Sequence, residues 1–178
     1  MIVALAGRRI DLPHASEMRF PIDNVSKVQQ RLRTFFSSYK ITTLVCSAAC
    51  GSDLLALDIA KELNIDRKII LPFAPAVFKI KSVNDCTGDW KTFFENAIET
   101  DDGMDLLIMD SANDDQQAYE KTNITILDTA ENLVQQKNEK MIVLIVWDGK
   151  SRGIDDASAH FLNEAKSRKL AIKEINTL

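Results

Sequence analysis

The 178-residue chain carries 22 Lys and Arg against 26 Asp and Glu, a formal net charge of −4, and 46% of its residues are hydrophobic. That balance is ordinary for a globular protein and lacks the basic footprint of a chain that wraps duplex nucleic acid. One domain spanning 1–178 is expected, large enough to bury about 70% of the surface of the unfolded chain with no disulfide or metal staple.

Arg8, Arg9 and Asp11 interrupt the first apolar stretch too early for a signal peptide, and no apolar run approaches the ~20 residues of a membrane-spanning helix. The three cysteines form no C-x-x-C pair, Cys46 and Cys50 stand four apart, and His14 and His160 are distant in sequence. Neither a disulfide framework nor a zinc site follows from that spacing, so a reducing cytoplasmic location, no metal and no membrane partner are expected.

In chain order, apolar runs at 2–6 (IVALA), 42–46 (TTLVC), 68–73 (KIILPF), 104–109 (MDLLIM) and 141–147 (MIVLIVW) do not alternate with polar residues. Such runs suit strands buried on both faces of a parallel sheet, whereas LAIKEI at 170–175 alternates and suits an edge strand. Between them fall stretches of helical period: Val25 to Phe36, Leu54 to Leu63, Phe93 to Ile98, Ile124 to Leu133 and Ala159 to Ala165. Strict alternation of about six strands with five helices predicts an α/β, Rossmann-like, doubly wound sheet, mostly parallel, with helices on both faces. The connections at 8–21 and 72–89 exceed the usual ~2–6 residues, and the carboxyl ends of strands are where such folds keep ligands.

The junction at 47–53 collects Ser47, Ala48, Ala49, Cys50, Gly51, Ser52 and Asp53 between a strand and a helix. Small residues there let amide groups and the positive helix end approach an anion, and a phosphate is the natural guest. The alternative is that small residues only permit close helix-to-sheet packing. Asp53 would repel a phosphate unless it faces a ribose or a backbone amide. The stretch is neither a Walker A loop nor a G-x-G-x-x-G fingerprint.

SAACGSDLLALDIA at 47–60 resembles the S-G-G-A-x-G-A-D-x-x-A signature of the SLOG superfamily, the Rossmann-like group that includes the DNA-processing protein, the cytokinin-activating phosphoribohydrolases and ligand sensors of bacterial immune effectors. AGRRIDLP…RFP at 6–21 is similar to the opening of a SLOG-like branch often fused to cyclase, TIR or tetratricopeptide modules. LPF with Phe78, Ser82, Val83 and Trp90, AYEKTN at 118–123 and VWDG at 146–149 extend the resemblance over nearly the whole chain. Ala48 and Ala49 replace glycines of related loops, and the phosphoribohydrolase signature P-G-G-x-G-T-x-x-E is missing.

The resemblance implies a nucleotide or nucleotide-derived small molecule lying across the carboxyl edge of the sheet, no cofactor, and a homodimer or homotetramer. Gly7, Arg8 and the 47–53 loop would hold phosphate and sugar, with Arg8 and Arg19 as counter-charges, since a guanidinium takes two phosphate oxygens at once. Phe78, Ser82, Tyr119, Glu120 and Asn123 would shape the base and sugar pocket, and Trp147 and Asp148 would line the crevice. Phe73 is read as core or as a base-stacking wall, and Trp90, capped by Asp89, as the anchor of the long loop. Two other functions fit the same residues: a glycosidic-bond hydrolase or transferase using Glu120 or Asp53, and a self-assembly or partner-interaction module. Acidic pairs at 100–103 and 114–117 are read as solvated, not as metal ligands.

Overall fold

The computed structural model describes residues 1–99, 103–109, 111, 117–153 and 155–178. The six strands are β1 (Ile2–Gly7), β2 (Thr43–Cys46), β3 (Asp66–Leu71), β4 (Met104–Ile108), β5 (Met141–Trp147) and β6 (Ile172–Asn176), all pairing in parallel. The helices are α1 (Val25–Tyr39), α2 (Ser52–Glu62), α3 (Pro75–Ser82), α4 (Trp90–Ile98), α5 (Ala118–Lys137) and α6 (Ala157–Ser167), with a 3-10 turn at Ile22–Asn24. This is an α/β, Rossmann-like arrangement. The acidic pairs of 100–103 and 114–117 fall almost wholly outside the described residues.

Strand order is β4-β3-β2-β1-β5-β6. The chain walks outward from β1 to β4, then α5 carries it back across the sheet so that β5 and β6 extend the other side. The reversal puts a topological switch point at β1 and β5, where helices diverge and a crevice opens beyond the strand ends.

Alternation along β1 feeds two cores. Val3 and Leu5 join Leu44, Cys46, Ile69 and Leu71 under α1, α2 and α4, while Ile2 and Ala4 join Val45, Ile70, Val143 and Ile145 under α5 and α6. In α1 the buried residues Val28, Leu32 and Phe36 recur every four positions, the stripe expected of a helix lying on a sheet. Helix α2 lies between α1 and α4 and is buried nearly all round.

The structure differs from the sequence reading at several points. The connection after β3 is not all loop: it contains α3, which starts with Pro75 in its first turn, where a missing N–H costs nothing. Strand β3 ends at Leu71 because Pro72 has no N–H for the ladder. Strand β4 lies at an edge, with Leu107 and Ile108 exposed. The mostly parallel sheet that was expected is found, and all of its pairings are parallel.

The cysteine expectation is corrected too. Cys50, just before α2, forms a disulfide with Cys86 in the α3–α4 connection, 36 residues on, and Cys46 is free and buried. The partner was invisible in the C-x-x-x-C spacing because the fold, not sequence proximity, brings the two together.

Candidate ligand-binding site

A cavity of about 470 Å³ opens at the carboxyl ends of β1 and β2, between α2, α3, the start of α5 and the start of α6. Gly7, Arg8, Ser47, Ala49 and Asp53 line its sheet side, and Phe78, Ser82, Tyr119, Glu120 and Asn123 its helical side. On α5, Tyr119, Thr122, Asn123 and Ile126 form one face at helical spacing toward the cavity. A second cavity of about 410 Å³ lies under the 10–19 loop and shares Arg8, Arg9 and Arg152 with the first.

Several expected site residues instead build the frame. Gly51 adopts φ +92°, and a Cβ there would stand 2.8 Å from the Arg8 carbonyl oxygen and 2.9 Å from the Ile10 nitrogen, so only glycine fits beneath the strand-end loop. Ser52 is fully buried, its hydroxyl donating to the Arg8 carbonyl at 2.8 Å. A Cβ on Gly7 would meet Ser52 Cβ at 2.5 Å, so the glycine lets α2 close on β1. Ala48 is buried in the core. Phe78 touches the cavity from within the core, stacked on Phe94 at 6.0 Å between ring centres.

The amides of the 47–53 loop, expected to face an anion, largely serve the protein. Cys50 N–H donates to the Ser82 carbonyl at 3.0 Å and Ser52 N–H to the Arg8 carbonyl at 3.1 Å. Ala49 N–H donates to Asp53 Oδ2 at 3.2 Å. Asp53 Oδ1 is buried with no hydrogen-bond partner among the described residues. Burial pushes the Asp53 carboxyl up to about 7, against the opposing Ala49 hydrogen bond and the positive Arg9.

The arginines are also differently placed. Arg8 is 3% exposed and donates from Nε to Asp148 Oδ1 at 2.8 Å, from Nη1 to Asp156 Oδ1 at 2.6 Å and from Nη2 to the Lys150 carbonyl. It also lies over Trp147, whose indole donates to Glu174. Arg19 donates to Asp148 Oδ2 at 2.8 Å and to Glu17 Oε2 at 2.7 Å, and it faces the second cavity, not the first. Trp147 and Asp148 thus support the arginines without lining either cavity. Burial opposes ionisation of Asp156, but hydrogen bonds from Arg8 and from the Arg152 and Ala159 amides outweigh it and hold the carboxyl below its ordinary range.

The first long loop has its own clasp. Asp11 accepts the backbone N–H groups of Arg19 and Phe20, and its own N–H donates to the Phe20 carbonyl, which explains the D-x-P…R-F-P spacing as a closed loop. Asp89 caps α4 through Thr92 N–H, and Trp90 is buried with its indole donating to the Thr87 carbonyl. Phe73 is core, beneath Tyr119 and Lys81.

Sequence reasoning undervalued Arg9 and missed Arg152 and Asp156. Arg9 lines both cavities, pairs with Asp85 and reaches the sulfurs of Cys50 and Cys86. Arg152 has half its side chain exposed and stands 4.0 Å from Asp156; burial, then the nearby Arg8, Arg19 and Arg9, lower its pKa below its ordinary value. Both lie in the S-R-G-x-D-D run after β5, where Asp156 caps α6 by accepting from the Ser158 and Ala159 amides.

Ser82 and Tyr119 hydroxyls share a hydrogen bond of 2.9 Å, and Asn123 Nδ2 donates to the Ala157 carbonyl at 2.8 Å, tying α3 to α5 and α5 to α6 around the opening. Glu120 is exposed at the rim. Among the described residues no His, Cys, Asp and Glu group suits a metal, and no helix is long and apolar enough to cross a membrane. No family model and no curated relative matches the chain.

Proposed function

We propose that the protein binds a nucleotide or nucleotide-derived small molecule in the cavity beyond β1 and β2. The observation that carries this reading is convergence: ten residues singled out along the chain, from Gly7 to Asn123, line one cavity of about 470 Å³ next to the topological switch point. That volume lies within the ~300–1,000 Å³ of small-molecule sites. Guanidinium charge at the mouth, from Arg9 and Arg152, supplies the attraction for a phosphate, and the Arg8–Asp148–Asp156 cluster holds the strand ends in place.

The Asp53 carboxyl, with its pKa near 7, favours a second reading, cleavage of a glycosidic bond with Asp53 as the acid, since such a group is most effective near its own pKa. One experiment separates them. The protein is titrated with adenosine, guanosine, cytidine and uridine monophosphates by calorimetry, and each mixture is then chromatographed for free base. Binding without base release supports the sensor reading, and base release abolished by Asp53→Asn supports the enzyme. No binding by any of the four, unchanged by Ser47→Trp, overturns both.

A further inference from the structure

The two cavities adjoin at Arg9 and Arg152, which line both. Neither guanidinium is enclosed: the side chains are 36% and 52% exposed. Arg152 makes no guanidinium hydrogen bond among the described residues, and the Asp156 oxygen 4.0 Å away is already taken by Arg8 and by the Ser158 and Ala159 amides. Arg9 pairs with Asp85, which is 42% exposed, and an ion pair open to water holds its partners only weakly. Burial lowers the pKa of Arg152, Asp156 raises it, and the charges of Arg8, Arg19 and Arg9 lower it again. An anion set among these arginines relieves that crowding.

The second cavity, about 410 Å³ under the 10–19 loop, decides the kind of anion. Four arginines line it, against two carboxylates that are already engaged: Asp11 accepts the Arg19 and Phe20 amides on its two oxygens, and Glu17 pairs with Arg19. No aromatic side chain is among its lining residues, so it offers charge and not a flat face for a second base. Arg8 and Arg19 commit donors to Asp148, which leaves Arg9 and Arg152 to grip a guest. A chain of phosphates running past these two meets both guanidinium groups, each able to take two oxygens, with the charge of Arg19 beside them.

We infer that the second cavity holds an oligophosphate: the guest of the first cavity runs its phosphates past Arg9 and Arg152 under the 10–19 loop, so a nucleoside di- or triphosphate is preferred over a monophosphate. The inference rests on the nucleotide-binding reading and names the class of ligand within it.

The test titrates the mono-, di- and triphosphates of adenosine, guanosine, cytidine and uridine, and inorganic tripolyphosphate, by calorimetry in EDTA so that no divalent cation screens the charge. Wild type is expected to bind the triphosphate of at least one nucleoside tenfold or more tighter than its monophosphate. In Arg152→Gln and in Arg9→Gln, both checked for folding by circular dichroism, that ratio falls to threefold or less. Lys166→Gln removes an equal charge from the exposed last turn of α6, the end away from the cavities, and keeps the ratio. Tripolyphosphate is expected to bind wild type and Ser47→Trp, whose first cavity is filled, equally well, and Arg152→Gln at least tenfold more weakly. A monophosphate bound as tightly as its triphosphate overturns the inference and leaves the nucleotide reading standing. So does an equal fall of the ratio in Lys166→Gln, which marks unspecific charge attraction, or loss of tripolyphosphate in Ser47→Trp, which puts the phosphates in the first cavity. If no nucleotide binds, the nucleotide reading falls and this inference with it.

Discussion

Arg8 and Asp148 stand just beyond the ends of the adjacent parallel strands β1 and β5 and share a buried Nε to Oδ1 hydrogen bond of 2.8 Å. Asp148 meets Arg19 with its other oxygen, and Arg8 meets Asp156 at the start of α6. Four chain segments are thereby bolted together at the switch point, and the guanidinium charge that sequence reasoning offered to a ligand is largely spent inside the protein.

Removing one member of such a cluster leaves a buried charge without its partner. Asp148→Ala is expected to lower the unfolding free energy by about 3–5 kcal/mol, measured by urea denaturation at pH 7. A loss below about 1 kcal/mol would mean that the pair is solvated in solution.

The Asp156 carboxyl is held below its ordinary value, so the stability it contributes is complete above about pH 4, where the unfolded chain has already lost its proton, and fades as pH falls through the lower folded-state value. The stability of Asp156→Ala relative to wild type is therefore expected to be worst at neutral pH and to converge toward wild type in strong acid. Parallel curves at all pH values would contradict the assignment.

Asp53 has the opposite sign. Its folded-state value near 7 means that the native protein keeps a proton that the unfolded chain has lost above about pH 4, so stability falls as pH rises through that interval. Asp53→Asn removes this cost and keeps an acceptor for Ala49. Its advantage over wild type is expected to grow by roughly 1.4 kcal/mol per pH unit between about pH 4 and 7 and to level off above. Thermal denaturation from pH 5 to 8 measures it, and a constant difference would show that Asp53 titrates normally.

The Cys50–Cys86 disulfide closes a loop of 36 residues. Thiol titration of the denatured chain without reductant is expected to find one thiol, Cys46, and Cys86→Ser to cost about 4 kcal/mol under the same non-reducing conditions on the chain-entropy account. Three thiols would show the pair reduced.

Much of the fold was legible because the buried parallel strands read as short apolar runs and a helix such as α1 carries a stripe that recurs every four residues; Ile2 to Leu5 and Val28, Leu32 and Phe36 show the two patterns side by side. Helix α3 was hidden because it is eight residues long and begins with Pro75. Around the cavity, Ser47 could be singled out from its place at a strand end, whereas Tyr119 and Asn123 came only from the resemblance. The roles of Arg8, Gly51 and Ser52 could not be read, since whether a guanidinium or a hydroxyl faces a ligand or a neighbouring carboxylate depends on contacts between segments more than 40 residues apart. The Cys50–Cys86 pairing, across 36 residues, escaped because only the folded chain brings the two together.

The most direct test of a phosphorylated nucleotide-like guest in this cavity is native mass spectrometry of freshly purified protein, wild type beside Ser47→Trp, whose indole would fill the cavity. The account predicts a non-covalent adduct on wild type, either co-purified or formed with an added nucleoside monophosphate, and none on the variant. Bare protein mass for both at saturating nucleotide, or an adduct that Ser47→Trp leaves intact, would contradict it.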